Sequence, residues 1–375
     1  MTFSFDSLRR FPDVEAPNLF AVDASDRLIL DEAAEALAAS APGEVVVIGD
    51  HYGAITLAAA ATHGLRDIRV HIDPLSGERA LANNAGELAP AFTVLPLDAS
   101  LLSGARVVLL QLPRSLDELD EIAGLIAANA HPEVRLYAGG MIKHLSLGMN
   151  EVLGRHFSAV RAGLARQKAR VLTVSGPIQA ASEWPRREFQ RELDLWVCAN
   201  GGVFAGTKLD IGTRFLLSVL DQATPDAVTA IDLGSGSGIV AAVLAKSRPG
   251  LAVLATDQSA AAVASSEATA LANGLGDRVR VVRDAGLESQ PDASADLVVL
   301  NPPFHVGAVV HTGLAHRLFA DAARVLRPGG ELWTVYNSHL GYRGALKELV
   351  GETRQIAKNT KFTVTASIAR EQSSR

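Results

Sequence analysis

Apolar positions in this chain gather in short unbroken runs rather than in strict alternation. Val45-Val46-Val47-Ile48, Val107-Val108-Leu109-Leu110 and Leu297-Val298-Val299-Leu300 are the clearest. Four consecutive apolar residues bounded by turn formers predict a strand buried on both faces, as in a parallel sheet. Helical stretches separate the runs: an Ala/Glu-rich segment over 31–39, then 55–61, 239–246, 259–272 and 315–326. Further strands are expected at 70–73, 229–233, 251–256, 279–284 and 331–336. Strands alternating with helices predict βαβ units. Residues 1–30 read as an extended lead-in broken by Pro12 and Pro17, and a helical stretch runs from Met141 to His156. A helix near 344–350 and a hairpin of 354–357 with 362–368 are expected to close the chain.

Two stretches stand out against this pattern. The first is Asn301-Pro302-Pro303-Phe304-His305, directly after the run ending at Leu300. Two prolines cannot extend a central strand, because each lacks a backbone donor and fixes φ. The strand therefore ends at Asn301, on the edge where open α/β sheets bind ligands. The Asn side-chain oxygen and the Pro302 carbonyl can both accept from one planar –NH₂ group. Pro303 stiffens the turn, and Phe304 offers a face for a flipped base. The second stretch is Gly234-Ser235-Gly236-Ser237-Gly238, after the strand that contains Asp232. Glycines there permit a tight turn and close approach of the backbone to a ligand. The next strand ends in Asp257, about 20 residues on, placed for ribose hydroxyls or for capping the helix that follows. The third ends in Asp284.

Length and composition narrow the class. The 375 residues suggest two domains at ~100–200 residues each. Apolar residues are 48% and aromatics 5%, so the cores must be close-packed Ala, Val and Leu. The single cysteine, Cys198, excludes an intrachain disulfide framework and fits a reducing, cytoplasmic setting. Neither a signal peptide nor a membrane span is expected. Nor is a metal site: His305, His311, His316 and His339 form no persuasive ligand set. The net charge of −6 argues against a uniformly basic nucleic-acid binder, so any RNA contact must come from local patches. One candidate is 155–191, where eight Lys/Arg face only Glu183 and Glu188. It reads either as a solvated surface or as a phosphate-contacting patch.

The second half resembles the class I S-adenosylmethionine (SAM) methyltransferases over residues 229–370. The resemblance implies that Gly234, Gly236 and Gly238 back the methionine part of SAM. It implies that Asp257 holds the ribose and that Asp284 meets the adenine amine. Asp232, Ser235, Gln258 and Ala285 flank these as further cofactor positions. Asn301, Pro302, Pro303 and Phe304 would receive the amine to be methylated. Together with Gly202-Val203-Phe204, Leu209-Asp210-Ile211-Gly212, Asn337-Ser338-His339-Leu340 and Lys361-Phe362, the set resembles the bacterial ribosomal RNA guanine-N2 methyltransferases. Phe204 and Gly212 would then sit in a wall over SAM. Ala169-Arg170-Val171-Leu172 and the tail lean towards the large-subunit branch. The implied partner is ribosomal RNA or a ribosomal subunit, and a monomer is expected.

The halves also resemble each other. Gly49 precedes Gly234 by 185 positions, Asp73 precedes Asp257 by 184 and Gln111 precedes Asn301 by 190. The first copy has lost the chemistry: His51-Tyr52 replace Gly236-Ser237, and Gln-Leu-Pro-Arg replaces Asn-Pro-Pro-Phe. The expectation is two tandem Rossmann-like α/β domains. Residues 1–178 form a degenerate methyltransferase-like domain that binds RNA or braces its neighbour. Residues 179–192 form a linker, and 193–375 form the catalytic domain. Other readings stay open: an adenine amine or a protein glutamine amide as acceptor, a nicotinamide-dependent oxidoreductase, or a non-enzymatic RNA-binding protein. The oxidoreductase reading leaves the Asn-Pro-Pro-Phe tetrad unexplained.

Overall fold

The computed structural model describes residues 3–302 and 308–370; over 308–312 it describes the backbone alone. Pro303, Phe304, His305 and the side chain of His311 lie outside the described residues. The chain divides into two compact units, Met1–Trp184 and Pro185–Arg375.

The first unit is built on a seven-stranded sheet. Its strands are β1 (Val45–Ile48), β2 (Ile68–His71), β3 (Phe92–Val94), β4 (Val107–Gln111), β5 (Arg135–Met141), β6 (Phe157–Ala162) and β7 (Ala169–Pro177). They lie in the order β3-β2-β1-β4-β5-β7-β6. The first five run parallel, and β7 is antiparallel to both its neighbours. The unbroken apolar runs explain the layering. Val45 and Val47 enter one core cluster, whereas Val46 and Ile48 enter the other. A strand walled by apolar layers on both faces has no polar alternation to show.

The second unit opens on a hairpin, β8 (Arg186–Gln190) with β9 (Leu195–Ala199). Its main sheet holds β10 (Thr229–Leu233), β11 (Ala252–Asp257), β12 (Val279–Arg283), β13 (Ala295–Leu300), β14 (Leu326–Asn337), β15 (Thr353–Lys358) and β16 (Phe362–Ile368). The order is β12-β11-β10-β13-β14-β16-β15, the same path as in the first unit. Again β10 to β14 run parallel, and β16 is antiparallel to β14 and β15. Leu297 and Val299 point into one apolar layer, and Val298 and Leu300 into the other. The fold is therefore α/β, with two mostly parallel Rossmann-like sheets and antiparallel closing strands.

Several expected boundaries move. The helix expected over 31–39 spans Ala24–Ala38, so the lead-in is shorter than the sequence reading had it. Its start is set by a capping box: Asp23 accepts from the Ser25 and Asp26 N–H groups, and Asp26 accepts from the Asp23 N–H. An Asp rather than Glu or Gln at the third helical position hides this signature. The helix expected to begin at 315 spans Ala308–Val325. Arg327-Pro328-Gly329-Gly330, expected as a helix stop before a strand, lies inside β14, where pairing jumps from Ala295↔Leu326 to Leu297↔Glu331. The expected linker, 179–192, contains β8. That strand is ordered by cross-strand pairing of Phe189 with Trp196, whose ring centroids lie 5.2 Å apart, and by Arg187 over the Trp196 ring at 4.2 Å.

The capping box gives a direct test. Asp23→Ala should lower the unfolding free energy by about 1 kcal/mol, the usual loss for an N-cap carboxylate. Equilibrium urea unfolding measures it, and an unchanged midpoint would show that the box does not hold the helix end.

Candidate active site

Pairing of β10 with both β11 and β13 sets Leu233 beside Thr256 on one side and beside Leu300 on the other. The residues that follow these strands, Gly234, Asp257 and Asn301, therefore stand in a row on the carboxyl edge. Asp284 extends the row, its N–H donating to the Asp257 carbonyl at 2.9 Å.

The glycine loop is fixed from below. The N–H groups of Gly234 and Ser235 donate to the Thr256 carbonyl at 2.8 and 3.0 Å, and the Gly238 N–H donates to the Ser235 carbonyl at 2.8 Å. Gly234, Gly236 and Gly238 have φ of 74°, 55° and 76°. Side chains rarely adopt that region. The three differ in what lies around them. A Cβ on Gly238 would come within 2.8 Å of Ser266 Cα, so this glycine lets the helix Ala260–Ala272 approach. A Cβ on Gly234 or Gly236 would meet nothing within 4 Å. The positive φ there presents backbone to open space, which fits a cradle for a ligand.

Two acids brace the loop. Asp257 Oδ2 accepts from the Gly236 N–H at 3.1 Å, and its Oδ1 accepts from the Ser259 N–H at 3.0 Å. Asp257 thus lies beside the loop and before the next helix, whose N-cap is not Asp257 but Ser259, its Oγ accepting from the Ala262 N–H at 3.1 Å. Asp232 is 4% exposed, and its Oδ2 accepts from the Ala241 N–H at 2.9 Å. Burial, with a smaller push from the Asp257 charge, raises its carboxyl to about 7 against the opposing Ala241 hydrogen bond. Asp284 is buried, and its carboxylate faces its own loop. It accepts from the Ser289 hydroxyl at 2.7 Å and the Ser289 N–H at 3.1 Å. Gln258 and Ala285, partly buried, follow Asp257 and Asp284 on the same edge. The Gln258 carbonyl accepts from Arg283 Nε at 3.2 Å.

Asn301 is joined to the segment before β10. Asp210 caps the helix Ile211–Leu217 by accepting from the Gly212 and Thr213 N–H groups at 2.9 and 3.1 Å. Asn301 Nδ2 then donates to Thr213 Oγ1 at 3.0 Å and to Asp210 Oδ2 at 3.4 Å. A carboxylate can only accept, so it fixes which way the Asn301 amide faces. The remaining atom, Oδ1, is buried and has no hydrogen-bond partner among the described residues. Gly212 lies against this group: a Cβ there would meet Asp210 Oδ2 at 3.0 Å, Phe362 at 3.2 Å and Asn301 Nδ2 at 3.7 Å. Pro302 is buried, whereas Pro303 and Phe304 lie outside the described residues. Phe204 is 66% exposed on the turn after β9, next to Val203, which is buried with Ala199 and Ala262. The sequence reading did not assign Asp210 or Thr213 a role. An Asp before a short helix was the available signal, but it marks a cap in most proteins.

The corresponding edge of the first unit is closed. Gln111 ends β4 where Asn301 follows β13. Its Nε2 donates to the Asp26 carboxylate and to Ser25 Oγ at 3.1 Å, and the Ser25 hydroxyl hydrogen goes to Asp23 Oδ1 at 2.5 Å. Asp50 accepts from the N–H groups of Gly53, Ile55 and Thr56. The Tyr52 hydroxyl donates to Asp13 at 2.6 Å, and Asn84 ties the Tyr52 and Arg9 carbonyls together. Side chains and the N-terminal segment fill the space around this loop.

Fold, glycine cradle and edge acids together define a Rossmann-like methyltransferase domain. A family model described as "Methyltransferase small domain" matches residues 194–366, and one described as "RLMG N-terminal domain" matches residues 1–177. A curated relative from Streptomyces avermitilis, "Ribosomal RNA large subunit methyltransferase G", is 34% identical over 370 residues, covering 96% of each chain. The same-named protein of Pseudomonas aeruginosa is 34% identical over 366 residues, with 95% of this chain and 96% of the relative covered. A T. thermophilus 16S rRNA N2 methyltransferase, solved with AdoMet and guanosine, shares the fold at a TM-score of 0.73 and 22% identity, over 93% of this chain and 92% of that one. The chain belongs to the ribosomal RNA large subunit methyltransferase G family. Among the described residues, no group of His, Cys, Asp and Glu could hold a metal, and no helix is long and apolar enough to cross a membrane.

The buried Asp232 carboxyl makes stability depend on pH. Its folded-state value, about 7, lies above the ordinary 3.8. Between those values the folded chain keeps a proton that the unfolded chain releases, so stability falls as pH rises from about 4 to about 7. Asp232→Asn should remove this component. Melting temperatures measured across that range would show a flatter profile, and an unchanged slope would contradict the assignment.

Proposed function

We propose that this chain transfers a methyl group from SAM to the exocyclic N2 amine of a guanine in large-subunit ribosomal RNA. The observation that supports this most is the unpartnered, buried Oδ1 of Asn301, held outward by Asp210 and Thr213. The family's named relatives support ribosomal RNA as the substrate. The structural neighbour with guanosine supports the guanine amine.

The open space at Gly234 and Gly236, with Asp257 beside it, fits the cofactor. Gly234 to Gly238 would lie along its methionine part, Asp257 would take the ribose hydroxyls, and the 284–285 backbone would border the adenine. Bound there, SAM supplies an activated methyl on a sulfonium. The protein's part is placement. Asn301 Oδ1 accepts one N2 hydrogen and the Pro302 carbonyl accepts the other, which turns the nitrogen lone pair towards the methyl carbon. Pro303 would stiffen the turn and Phe304 would stack on the base. After transfer the nitrogen carries one proton too many, and that proton leaves to solvent. No strong base is demanded. Orientation is the main lever, since a misplacement of ~1 Å can cost ~10²-fold. Residues 1–178 form a non-catalytic domain in this reading, because the Gln111 amide is engaged by Asp26 and Ser25 and the Tyr52 hydroxyl by Asp13.

Asn301→Ala should leave SAM affinity within a few-fold of wild type and lower methyl transfer by at least ~10²-fold. Asn301→Asp keeps an acceptor of the same shape but places a charge beside Asp210, and should retain partial activity above the Ala variant. Wild-type turnover in Asn301→Ala would remove this residue from the chemistry. Calorimetry should find one SAM per chain. Asp257→Ala should weaken binding by ~1.5–3 kcal/mol, the scale of hydrogen bonds to a charged group. Two equivalent sites would mean that the first unit has kept its cradle.

A further inference from the structure

The loop that follows β12 is closed from two sides. From within, the Asp284 carboxylate takes the Ser289 hydroxyl and N–H, and Gln290 Nε2 donates to Ser289 Oγ at 2.6 Å. The Gln290 N–H returns to the Leu287 carbonyl at 3.0 Å and completes a turn. From outside, the helix Ala308–Val325 covers the loop. Its Phe319 and Ala322 share one apolar layer with the fully buried Leu287.

Two polar side chains of that helix reach the loop. Asp321 accepts from the Leu287 N–H. Gly286 has φ of 77°, and a Cβ there would fall 2.3 Å from Asp321 Oδ2, pushing that carboxylate off the loop. Arg324 makes the wider contact. Its Nη2 donates to the Leu287 carbonyl at 2.6 Å. Its Nη1 donates to the Gln290 carbonyl at 2.8 Å and to Asp292 Oδ1 at 2.5 Å. One planar guanidinium thus fixes both ends of the 287–290 turn. A lysine presents a single nitrogen and cannot reproduce that fork. Ser289 lies inside the turn and is bound to Asp284, so a shift of the turn pulls on Asp284 and on Ala285 beside it.

We infer that Arg324 is a positioning residue for the cofactor: by holding the Leu287 and Gln290 carbonyls, it keeps the 284–285 backbone where the adenine of SAM is received. The inference rests on the reading that this backbone borders the adenine. Arg324 acts through the turn and touches no reacting atom. The adenine takes no part in the transfer, so the hold contributes equally before and in the transition state. Uniform binding of this kind shows in KM and leaves kcat alone.

The full chain is assayed with methyl-labelled SAM and protein-free large-subunit ribosomal RNA. Arg324→Ala should raise KM for SAM at least ~10-fold, the scale of lost hydrogen bonds from a charged group. Its kcat at saturating SAM should stay within ~2-fold of wild type. Arg324→Lys should show the same split, because a charge without the fork does not hold two carbonyls. Free guanidinium at a sub-denaturing concentration should bring KM of Arg324→Ala back towards wild type, and potassium at equal ionic strength should not. Arg317→Gln removes only an exposed pair with Glu288 at 4.0 Å from the same helix, and should leave KM unchanged. An unchanged KM for SAM in Arg324→Ala overturns the inference. So does a fall in kcat at constant KM, the mark of a smaller folded fraction. If wild type transfers no methyl from SAM to ribosomal RNA, the underlying reading fails instead, and the two failures are distinguishable.

Discussion

The orientation of one amide organises the second unit. Asn301 donates its nitrogen to Asp210 and Thr213 and so turns its oxygen away from them. A buried acceptor left without a partner costs ~1–3 kcal/mol. Rotating the amide by half a turn would set its oxygen against the Asp210 carboxylate, which is worse. The arrangement therefore holds a cost in place, and a ligand amine would relieve it. The surrounding structure serves that geometry. Asp210 can do this because it caps a helix, and Gly212 leaves room because it has no side chain to strike Phe362. Asn301 directly follows β13, which apolar layers hold on both faces.

The first unit shows the same framework with the opposite outcome. Its strand order is identical, and a capped helix also lies before its first strand. There the corresponding side chain is Gln111, whose amide donates to the Asp26 carboxylate and to Ser25 Oγ. Its loop has Tyr52 anchored to Asp13, where the second unit has glycines facing open space. Two sheets of one topology thus differ in what occupies their carboxyl edge: anchored side chains in the first unit, and glycines facing open space in the second.

Much of this was legible in the residues. Unbroken apolar runs located β1, β4 and β13, because double-sided burial removes alternation. The glycine loop, Asp257 and Asn301 each declared themselves at strand ends. Other features were not legible for physical reasons. The helix start at Ala24 depends on a reciprocal Asp23–Asp26 box that looks like loop composition. β8 depends on cross-strand contacts of Phe189 and Trp196 that no local pattern announces. The Asp210–Thr213–Asn301 triangle joins residues about 90 positions apart, so only the fold brings it together. The burial of the Asp284 carboxylate against Ser289 is likewise tertiary.

The chemistry itself is tested most directly by the product. Ribosomal RNA from a strain lacking this protein, incubated with the full chain and methyl-labelled SAM, should yield N2-methylguanosine as the labelled nucleoside after complete digestion. Label on a ring carbon or a ribose oxygen would contradict the role given to Asn301, because neither acceptor atom presents an –NH₂ group to its buried oxygen.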